Sequence, residues 1–571
     1  MATSAASASS ASTPFPHGDG AAATAPLSAD VVVIGSGLGG LSAAALCARY
    51  GLSVVVVEAH TALGGATHSF SRAGFTFESG PSLFSGMADP TGRGANPMAH
   101  VLAATGADKH LSYVRYDTWR VHLPEGTWDA GVGPAAAEAL VAAAGGSVAE
   151  WRALGRSLAP LAAAATAVPA LCLRSDAGAL LTAGLRNAGA LAASARHLPS
   201  LAGPASAVAA AAGVTPGGFV ARWFDLLCFL LSGHPAAGTP AAEVAFMWAQ
   251  WFRPGSCLEF PLGGAAAIAD ALARTVADRG GRVWTGARVG RVVVEGGRAV
   301  GVEVVGRKGG PPTTVRAARA VISGASVWDT AALLEGCAGA AATAAATPAL
   351  RSFMHLHAAL TPLAGLDWGG EAQGGGSRAA PPAAPAAPGP AGPGLHHLVV
   401  SSWAGGVDAP GAVSLISIPS VADPALAPEG CHSLHAYYPA SEPWAPWAGV
   451  EPGTPAYGAL KEERAAGLRA AVARAVPGYA GRARFELVGT PRTHARFLNR
   501  HRGSYGPAWS AGVPGQAFPG AKALGVEGLL LASDSAFPGI GVPAVAAAGA
   551  AAAASVAGLG PHWRLLGELG L

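Results

Sequence analysis

The chain has 571 residues, of which 51% are hydrophobic and only 12% are charged, and its formal net charge is +3. This length exceeds what one hydrophobic core usually supports, so we expect two or three interleaved domains. The basic residues are dispersed and give no electrostatic footprint for nucleic acid. The six cysteines form no CxxC pair, which argues against a disulfide framework and a zinc site and favours a reducing compartment.

Residues 1–29 form a leader that is rich in Ser, Ala and Thr and has no helix or strand periodicity. We expect this leader to be disordered. Its Ser content and its single acidic residue, Asp19, are typical of an organelle transit peptide, although no arginine precedes Arg49. Two interpretations remain open, namely a cleaved plastid-targeting peptide and an uncleaved extension of a cytoplasmic protein.

The segment Asp30–Ala59 has the pattern of a strand, a glycine-rich turn, a helix and a second strand, with bounds at 31–34, 35–40, 41–50 and 52–58. In a dinucleotide-binding unit, Gly35 permits the tight turn and Gly37 lets the backbone approach the pyrophosphate, while Gly40 allows close helix packing. Glu58 ends the second strand, where a carboxylate can accept hydrogen bonds from a ribose. The predicted cofactor-binding residues here are Gly35, Ser36, Gly37, Gly39, Gly40 and Glu58.

A second cofactor signal lies near the C-terminus, where Leu529–Leu531 reads as a strand and Phe537–Pro543 leads into an Ala-rich helix. The N-terminus of that helix carries about half a positive charge, which can stabilise the anionic edge of a reduced flavin. Asp534 would hold the ribityl chain or the pyrophosphate. The alternative is a surface loop that enters a terminal helix. The predicted cofactor residues of this segment are Asp534, Gly541 and Val542.

The uncharged stretch Ser535–Trp563 is long enough to span a bilayer, but it is mostly Ala and Gly and contains two prolines. We therefore expect a buried helix there. The helix predicted around Trp223–Leu231 is apolar, and aromatic residues follow it. Three interpretations remain open: the helix packs in the core, lines a substrate tunnel or dips into a membrane surface.

The middle of the chain contains several strand-like runs. Arg282–Val305 reads as a β-hairpin, and Thr314–Ser323 reads as a strand that returns to the first domain. Three later runs predict an antiparallel sheet that forms a substrate floor, and a Gly/Pro/Ala tract at 369–394 predicts a flexible insertion. The three runs are Leu395–Trp403, Ala412–Pro419 and His432–Tyr438.

Six histidines fall on or next to these candidate strands, and four of them could in principle hold iron. Because a complete flavin apparatus makes a second redox centre superfluous, we predict no metal site. The six are His355, His357, His396, His397, His432 and His435.

These motifs together resemble those of carotenoid isomerases and phytoene-desaturase-like flavoproteins. The resemblance covers residues 30–559 apart from the insertion, and it is closest to the carotenoid-isomerase-like branch of plastids and cyanobacteria. It includes the Gly64-Gly65 pair after Glu58, which recurs in flavoproteins with two dinucleotide-binding domains. It also includes Phe70–Ser82, Phe260–Gly264, Ser352–His357, Arg502–Pro507 and Asp534–Ala546.

The resemblance implies an α/β fold of the two-dinucleotide-binding type, with a Rossmann-type FAD domain and an interleaved α+β substrate domain. It implies FAD as the cofactor, with Gly64 and Gly65 beside it and the Val289 backbone at the adenine. It places Glu78–Ser82 near the isoalloxazine. It further implies a carotenoid or related polyene as the substrate, a plastid location and peripheral contact with a membrane.

A polyene has no acidic proton, carbonyl or charge for side chains to address, so the cofactor must perform the chemistry. We expect cis–trans isomerisation by reduced flavin, with Glu78 and Tyr505 as candidates for assisting proton movement. A desaturase, a retinol-saturase-like enzyme, an amine-oxidase-like flavoenzyme and a flavin-bound carotenoid carrier remain open as alternatives.

The expected domain organisation interleaves the cofactor and substrate parts along the chain. Its segments are a leader at 1–29, FAD-binding parts at 30–85, 261–335 and 511–571, a mainly helical substrate- or membrane-facing part at 86–260, and a substrate domain at 336–510.

Overall fold

A computed structural model describes residues 27–88, 95–306, 310–362, 394–511 and 519–571 of the chain. The leader expected to be disordered and the insertion expected to be flexible therefore lie almost wholly outside the described residues.

The described residues form both strands and α-helices. The strands are β1 (Leu27–Ile34), β2 (Val54–Val57), β3 (Ser69–Arg72), β4 (Phe75–Glu78), β5 (Phe84–Ser85), β6 (Tyr113–Tyr116), β7 (Thr118–Leu123), β8 (Gly126–Gly131), β9 (Leu258–Pro261), β10 (Arg282–Trp284), β11 (Val289–Glu295), β12 (Arg298–Val304), β13 (Thr313–Ser323), β14 (Ser352–Leu360), β15 (His396–Val400), β16 (Val413–Ser417), β17 (His432–Glu442), β18 (Ala483–Gly489) and β19 (Leu529–Leu531). The helices are α1 (Leu38–Arg49), α2 (Pro97–Thr105), α3 (Pro134–Ala143), α4 (Val148–Ala165), α5 (Ala188–Ser194), α6 (Leu198–Ala202), α7 (Ala205–Ala211), α8 (Phe219–Ser232), α9 (Ala241–Trp251), α10 (Ala266–Ala277), α11 (Val327–Ala332), α12 (Ala338–Ala346), α13 (Ala445–Ala448), α14 (Pro455–Ala475), α15 (Tyr479–Arg482), α16 (Pro491–Phe497), α17 (Val542–Ala557) and α18 (Leu559–Leu569).

The first sheet has the strand order β10-β2-β1-β13-β12-β11, with β19 also paired to β13. Its central strands β10, β2, β1, β13 and β19 run parallel. The four valines of β2 and the apolar end of β1 are buried, as expected for parallel strands that are covered on both faces. The predicted Rossmann-type α/β fold is confirmed.

The hairpin and the returning strand predicted from the middle of the chain are confirmed. Strands β11 and β12 pair antiparallel around Gly296 and Gly297, whose φ angles of 57° and 81° suit a two-residue hairpin turn. Strand β13 pairs with β1, which returns the chain to the first sheet. Residues Arg282–Trp284, however, form the separate parallel strand β10 instead of the first arm of the hairpin.

The second sheet has the order β18-β14-β17-β16-β15-β7-β8. The three predicted strands β15, β16 and β17 are antiparallel neighbours in it, as expected. Strand β15 also pairs in parallel with β7, so two strands from the segment 86–260 complete this sheet. That segment is therefore not helical throughout, because it supplies part of the wall that the later strands build.

The N-terminal and C-terminal parts of the chain meet where helix α1 packs against helix α17 and the β19–α17 connection. A Cβ atom added to Gly39 would lie 2.1 Å from the Ala532 carbonyl oxygen, and one added to Gly549 would lie 2.3 Å from the Gly39 carbonyl oxygen. Both distances are far below contact, so neither position has room for a side chain. Helix α17 is buried, which confirms the expectation for the uncharged stretch near the C-terminus.

Helices α3–α9 form a layer on one face of the second sheet, and most of the apolar face of α8 is buried in it. In the described residues, one helical stretch, Val148–Cys172, is long and apolar enough to cross a membrane, and only 28% of its most apolar window is buried. This evidence is weak because core helices of soluble proteins can pass the same test.

The contact between α1 and α17 gives the first testable prediction. Gly549→Ala should lower the free energy of unfolding by about 1–3 kcal/mol, because its methyl group would overlap the Gly39 carbonyl oxygen. The matched control is Gly458→Ala in α14, where an added Cβ meets no atom within 4 Å and the helix gains about 0.5–1 kcal/mol. Chemical denaturation followed by circular dichroism measures both changes. Equal stability of the two variants would contradict the proposed packing.

Candidate functional site

A cavity of about 1650 Å³ extends from the carboxyl edge of the first sheet to the face of the second sheet. Its walls are mostly apolar, and residues from both ends of the chain line it. Of the predicted site residues, those that line the cavity are Gly35, Gly37, Gly39, Glu58, Gly64, Gly65, Val289, Tyr505, Asp534, Gly541 and Val542. Ser36, Gly40 and Glu78 are predicted site residues that lie behind this surface.

The N-terminus of helix α1 opens into the cavity. Its N-cap, Gly37, has ordinary extended dihedrals and no side-chain cap, and the first turn contains no acidic residue. An added Cβ at Gly37 would meet no protein atom within 4 Å, so the backbone here borders open space. Uncapped N–H groups and the positive end of the helix dipole make this a site for an anion such as a pyrophosphate.

Glu58 lies at the end of β2 and is held by the glycine-rich turn. The backbone N–H and the hydroxyl of Ser36 both donate to Glu58 Oε2 at 2.7 Å, and the N–H of His60 donates to Oε1 at 2.6 Å. Ser36 is fully buried, so it positions the carboxylate and does not face the cavity itself. The carboxylate keeps lone pairs that can accept ribose hydroxyls.

The Gly64-Gly65 pair packs directly on this turn. The N–H of Gly64 donates to the Ser36 carbonyl at 3.0 Å, and a Cβ added to Gly65 would lie 3.1 Å from the Gly37 Cα. Val289 starts β11 close to Glu58, because the N–H of Ala287 donates to the Glu58 carbonyl at 2.8 Å. The structure therefore brings the glycine turn, Glu58, the Gly64-Gly65 pair and Val289 together beside the cavity.

The C-terminal segment contributes a second uncapped helix N-terminus. Gly541 is the N-cap of α17, and neither a side-chain cap nor an acidic residue occupies the first turn. Arg500 donates to Asp534 Oδ2 at 2.6 Å and also to the carbonyl of Tyr505 at 2.6 Å. This arginine ties the loop that carries Tyr505 to the segment that carries Asp534. Sequence analysis missed Arg500, because no local pattern marks a contact across 34 residues.

The two proton-transfer candidates lie in different environments. Tyr505 lines the cavity, and burial raises the pKa of its phenol to about 12, so it stays protonated. Glu78 is 1% exposed, and its Oε1 accepts the N–H of Ala265 at 2.7 Å, while burial raises its pKa to about 7. Because Glu78 lies behind the wall, the structure does not bring its carboxyl to the cavity.

The floor of the cavity is built from aromatic and imidazole rings of β14 and β17. Phe353, His355 and Tyr437 line it, and His435 Nε2 and His355 Nδ1 share a hydrogen bond of 2.7 Å. Burial lowers the pKa of His355 and of His435 well below 6.5, so both imidazoles are neutral at physiological pH.

Of the six histidines named in the sequence analysis, three come together. His355, His357 and His435 have one potential ligand atom each within 4.8 Å of the others, so they could hold a metal ion. His396 instead bonds Ser417, and His397 faces His122. The prediction of no metal site remains a prediction.

One cavity residue that sequence analysis missed is Glu243. It is the only charged residue of helix α9 and faces the cavity from the first turn. A lone acid in an otherwise apolar helix was the signal that could have identified it.

Two family descriptions match separate parts of this architecture. Residues 33–95 match the NAD(P)-binding Rossmann-like domain, and residues 257–357 match the GMC oxidoreductase description. Among solved structures, an oxidoreductase from Methanosarcina mazei is 20% identical with a TM-score of 0.54, and the match covers 91% of this chain and 98% of that one. The two family descriptions and the fold together indicate an oxidoreductase whose cavity suits a flavin or dinucleotide cofactor.

The curated relatives narrow this class further. A chloroplastic prolycopene isomerase from Arabidopsis thaliana is 28% identical over 95% of this chain and 86% of its own length. The human all-trans-retinol 13,14-reductase is 53% identical over 55 residues, which is 10% of this chain and 9% of that protein. These findings confirm the predicted resemblance: the chain is an enzyme related to the prolycopene isomerases.

The open space at Gly37 gives the second prediction. Gly37→Val should fold with nearly unchanged stability, since the extended dihedrals suit valine and its Cβ atom would meet no protein atom within 4 Å. The purified variant should nevertheless lose most of its bound dinucleotide, because the side chain fills the path of the phosphates. Gly449→Val, where an added Cβ also meets nothing within 4 Å, is the control that should retain the cofactor. Absorbance of cofactor released per protein measures this loss, and full occupancy in Gly37→Val would contradict the assignment.

Proposed function

We propose that the chain is an FAD-dependent oxidoreductase that acts on carotenoid or related isoprenoid polyenes, with cis–trans isomerisation as its reaction. The observation that carries this proposal is one apolar cavity into which two uncapped helix N-termini open. The helix ends suit a long anionic dinucleotide, and the apolar walls suit a hydrocarbon.

The residues present fit FAD along the length of the cavity. Glu58 would bind the adenosine ribose, and the backbone of Val289 would meet the adenine. The glycine turn and the first turn of α1 would hold the pyrophosphate, with Gly39 and Gly40 keeping the helix close to its neighbours. Asp534 would hold the ribityl chain, while Gly541 and Val542 at the start of α17 would face the flavin. The uncapped N-termini of both helices support this placement.

The protein's own contribution is to position the reactants, exclude water and hold charge. Reduced flavin, when bound, supplies the transient electron or hydride transfer that lowers the bond order of one C=C bond. The positive end of α17 stabilises negative charge beside it. The apolar walls exclude water, and Tyr505 keeps its hydroxyl proton because burial raises the pKa of its phenol to about 12.

Two alternative reactions involve net redox change, namely desaturation and saturation of the polyene. The short match to a retinol reductase supports saturation of the polyene as an alternative reaction. An amine-oxidase-like reaction and a non-catalytic carotenoid carrier remain the other candidates. The similarity to prolycopene isomerases over almost the whole chain supports a polyene as the substrate.

Turnover distinguishes these candidates and forms the third prediction. Purified protein with its flavin is incubated with poly-cis carotenes under anaerobic reducing conditions, and the products are separated by chromatography with mass detection. We expect products of unchanged mass and altered retention, and none with Gly37→Val. A gain or loss of two hydrogens would replace isomerisation by saturation or desaturation. The absence of any reaction would favour the carrier.

We also propose that the enzyme contacts a plastid membrane. A run of short helical segments at 180–202 carries leucines that face solvent, with Leu180 75%, Leu185 68% and Leu198 56% exposed. Arg186 and Arg196 lie among them, and such a pattern suits the surface of an anionic bilayer. Leu173, just before this segment, and Leu201, near its end, line the cavity, so the exposed leucines lie beside a route by which a lipid-dissolved substrate could enter. The chloroplastic relatives support the plastid as the location.

Vesicle binding tests this surface as the fourth prediction. The double variant Leu180→Ser/Leu185→Ser should bind phosphatidylglycerol-containing vesicles at least about tenfold more weakly, because it removes two exposed apolar side chains from the interface. Val294→Ser, at a 41% exposed valine of the β11–β12 hairpin, is the control that should bind as the unmodified protein does. Cosedimentation measures the bound fraction. Unchanged binding of the double variant would assign the membrane contact to another surface.

A further inference from the structure

Glu243 lies in the first turn of α9 and faces the cavity between apolar side chains. The neighbouring helix α8 contributes Leu227, Leu230 and Leu231 to the same cavity, and α9 itself contributes Phe246 and Met247. A carboxyl group in such surroundings is expensive to bury unless a hydrogen-bonding partner satisfies it.

Other buried glutamates have protein donors. Glu58 accepts from Ser36 and His60, and Glu78 accepts from Ala265. Glu259 accepts the N–H groups of Met87 and Ala88, and Glu442 accepts the indole N–H of Trp447. Each of these carboxyl groups therefore accepts at least one hydrogen bond from the protein.

Glu243 differs from these residues because it is less fully buried and lines the cavity, and no residue that the structure describes forms a hydrogen bond or ion pair with its carboxyl. Burial alone raises its pKa to about 7, so the group is partly protonated at neutral pH. In this state it can both donate and accept a hydrogen bond. An unsatisfied, cavity-facing group of this kind points to a polar partner on the ligand, because a pure hydrocarbon offers none.

The position of Glu243 also places it near the other polar groups of the cavity. Burial raises the pKa of the Tyr505 phenol to about 12, and the negative charge of Glu243 contributes to the rise. Glu243 and Tyr505 thus act on the same region, while the remaining walls around Glu243 are apolar. A ligand held there would be apolar along most of its length and polar at one point.

We infer that Glu243 is a specificity residue that hydrogen-bonds a hydroxyl group of the substrate, so that a hydroxylated polyene is preferred over the corresponding hydrocarbon. This inference rests on the proposed polyene function and names the substrate class of the same cavity. A site built to bond a hydroxyl discriminates strongly against the analogue that lacks it, because the buried carboxyl is then left unpaired.

The test compares β-carotene with β-cryptoxanthin, which differs from it by one ring hydroxyl, and uses the flavin-loaded full chain. Quenching of tryptophan fluorescence gives both dissociation constants. The unmodified protein should bind β-cryptoxanthin at least about tenfold more tightly than β-carotene. Glu243→Leu should bring this ratio close to one, and Glu243→Gln should keep most of it because an amide also donates and accepts. Flavin content should be unchanged in both variants.

Glu463→Leu is the control for the loss of one negative charge, since Glu463 is an exposed acid of α14 and should keep the ratio of the unmodified protein. Equal binding of the two polyenes by the unmodified protein would overturn the inference and leave the polyene function standing. Tighter binding of dodecylamine than of either polyene, lost in Glu243→Gln, would make Glu243 an ammonium site and also overturn it. Binding of neither polyene would overturn both the inference and the proposed function.

Discussion

The architecture depends on a close backbone contact between the two ends of the chain. Gly39 approaches the Ala532 carbonyl, and Gly549 approaches the Gly39 carbonyl, at distances that exclude any side chain. This contact sets α1 beside α17, so that both helices begin at the same cavity without side-chain caps. Each helix N-terminus carries partial positive charge, so two of them in one apolar cavity can attract the same long anion. The glycines therefore determine how the helices pack and where their N-termini open into the cavity.

The charged groups around the cavity fall into two kinds. Glu58 and Asp534 are fixed by protein donors, Ser36 and Arg500 respectively, so their orientation exists before any ligand binds. Such preorganisation reduces the entropy lost when a cofactor is bound. Glu243 has no such donor among the described residues, and its orientation is left to the ligand. Cofactor recognition is thus built into the protein, whereas substrate recognition at Glu243 is completed by the substrate.

The elements that sequence reasoning predicted well are those whose signal is local. The glycine turn, the strand that follows it and the Pro-containing start of α17 each carry their reason within a few residues. The helix α1 begins at Leu38, three residues earlier than expected, because Gly39 and Gly40 are used for packing inside the helix and not for the turn. The glycines therefore identified the dinucleotide-binding turn correctly, but they made the predicted start of helix α1 too late.

What the sequence could not provide is the set of long-range contacts. Arg500 reaches Asp534 across the fold, and the second sheet recruits β7 and β8 from a region expected to be helical. Glu78 illustrates the same limit in reverse. The resemblance places the segment Glu78–Ser82 near the isoalloxazine. Side chains alternate along a strand, however, and that of Glu78 points towards Ala265 and away from the cavity.

The uncharged floor of the cavity explains why one carboxyl can decide specificity. Burial lowers the pKa of His494 to about 3 and that of His355 well below its usual value, so these cavity-lining imidazoles carry no charge at neutral pH. Tyr505 is likewise neutral. Beside these neutral rings, a hydroxyl group of the ligand can form a hydrogen bond with Glu243. A protonated carboxyl bonds a hydroxyl without placing a net charge beside the polyene, which an ionised carboxylate would do.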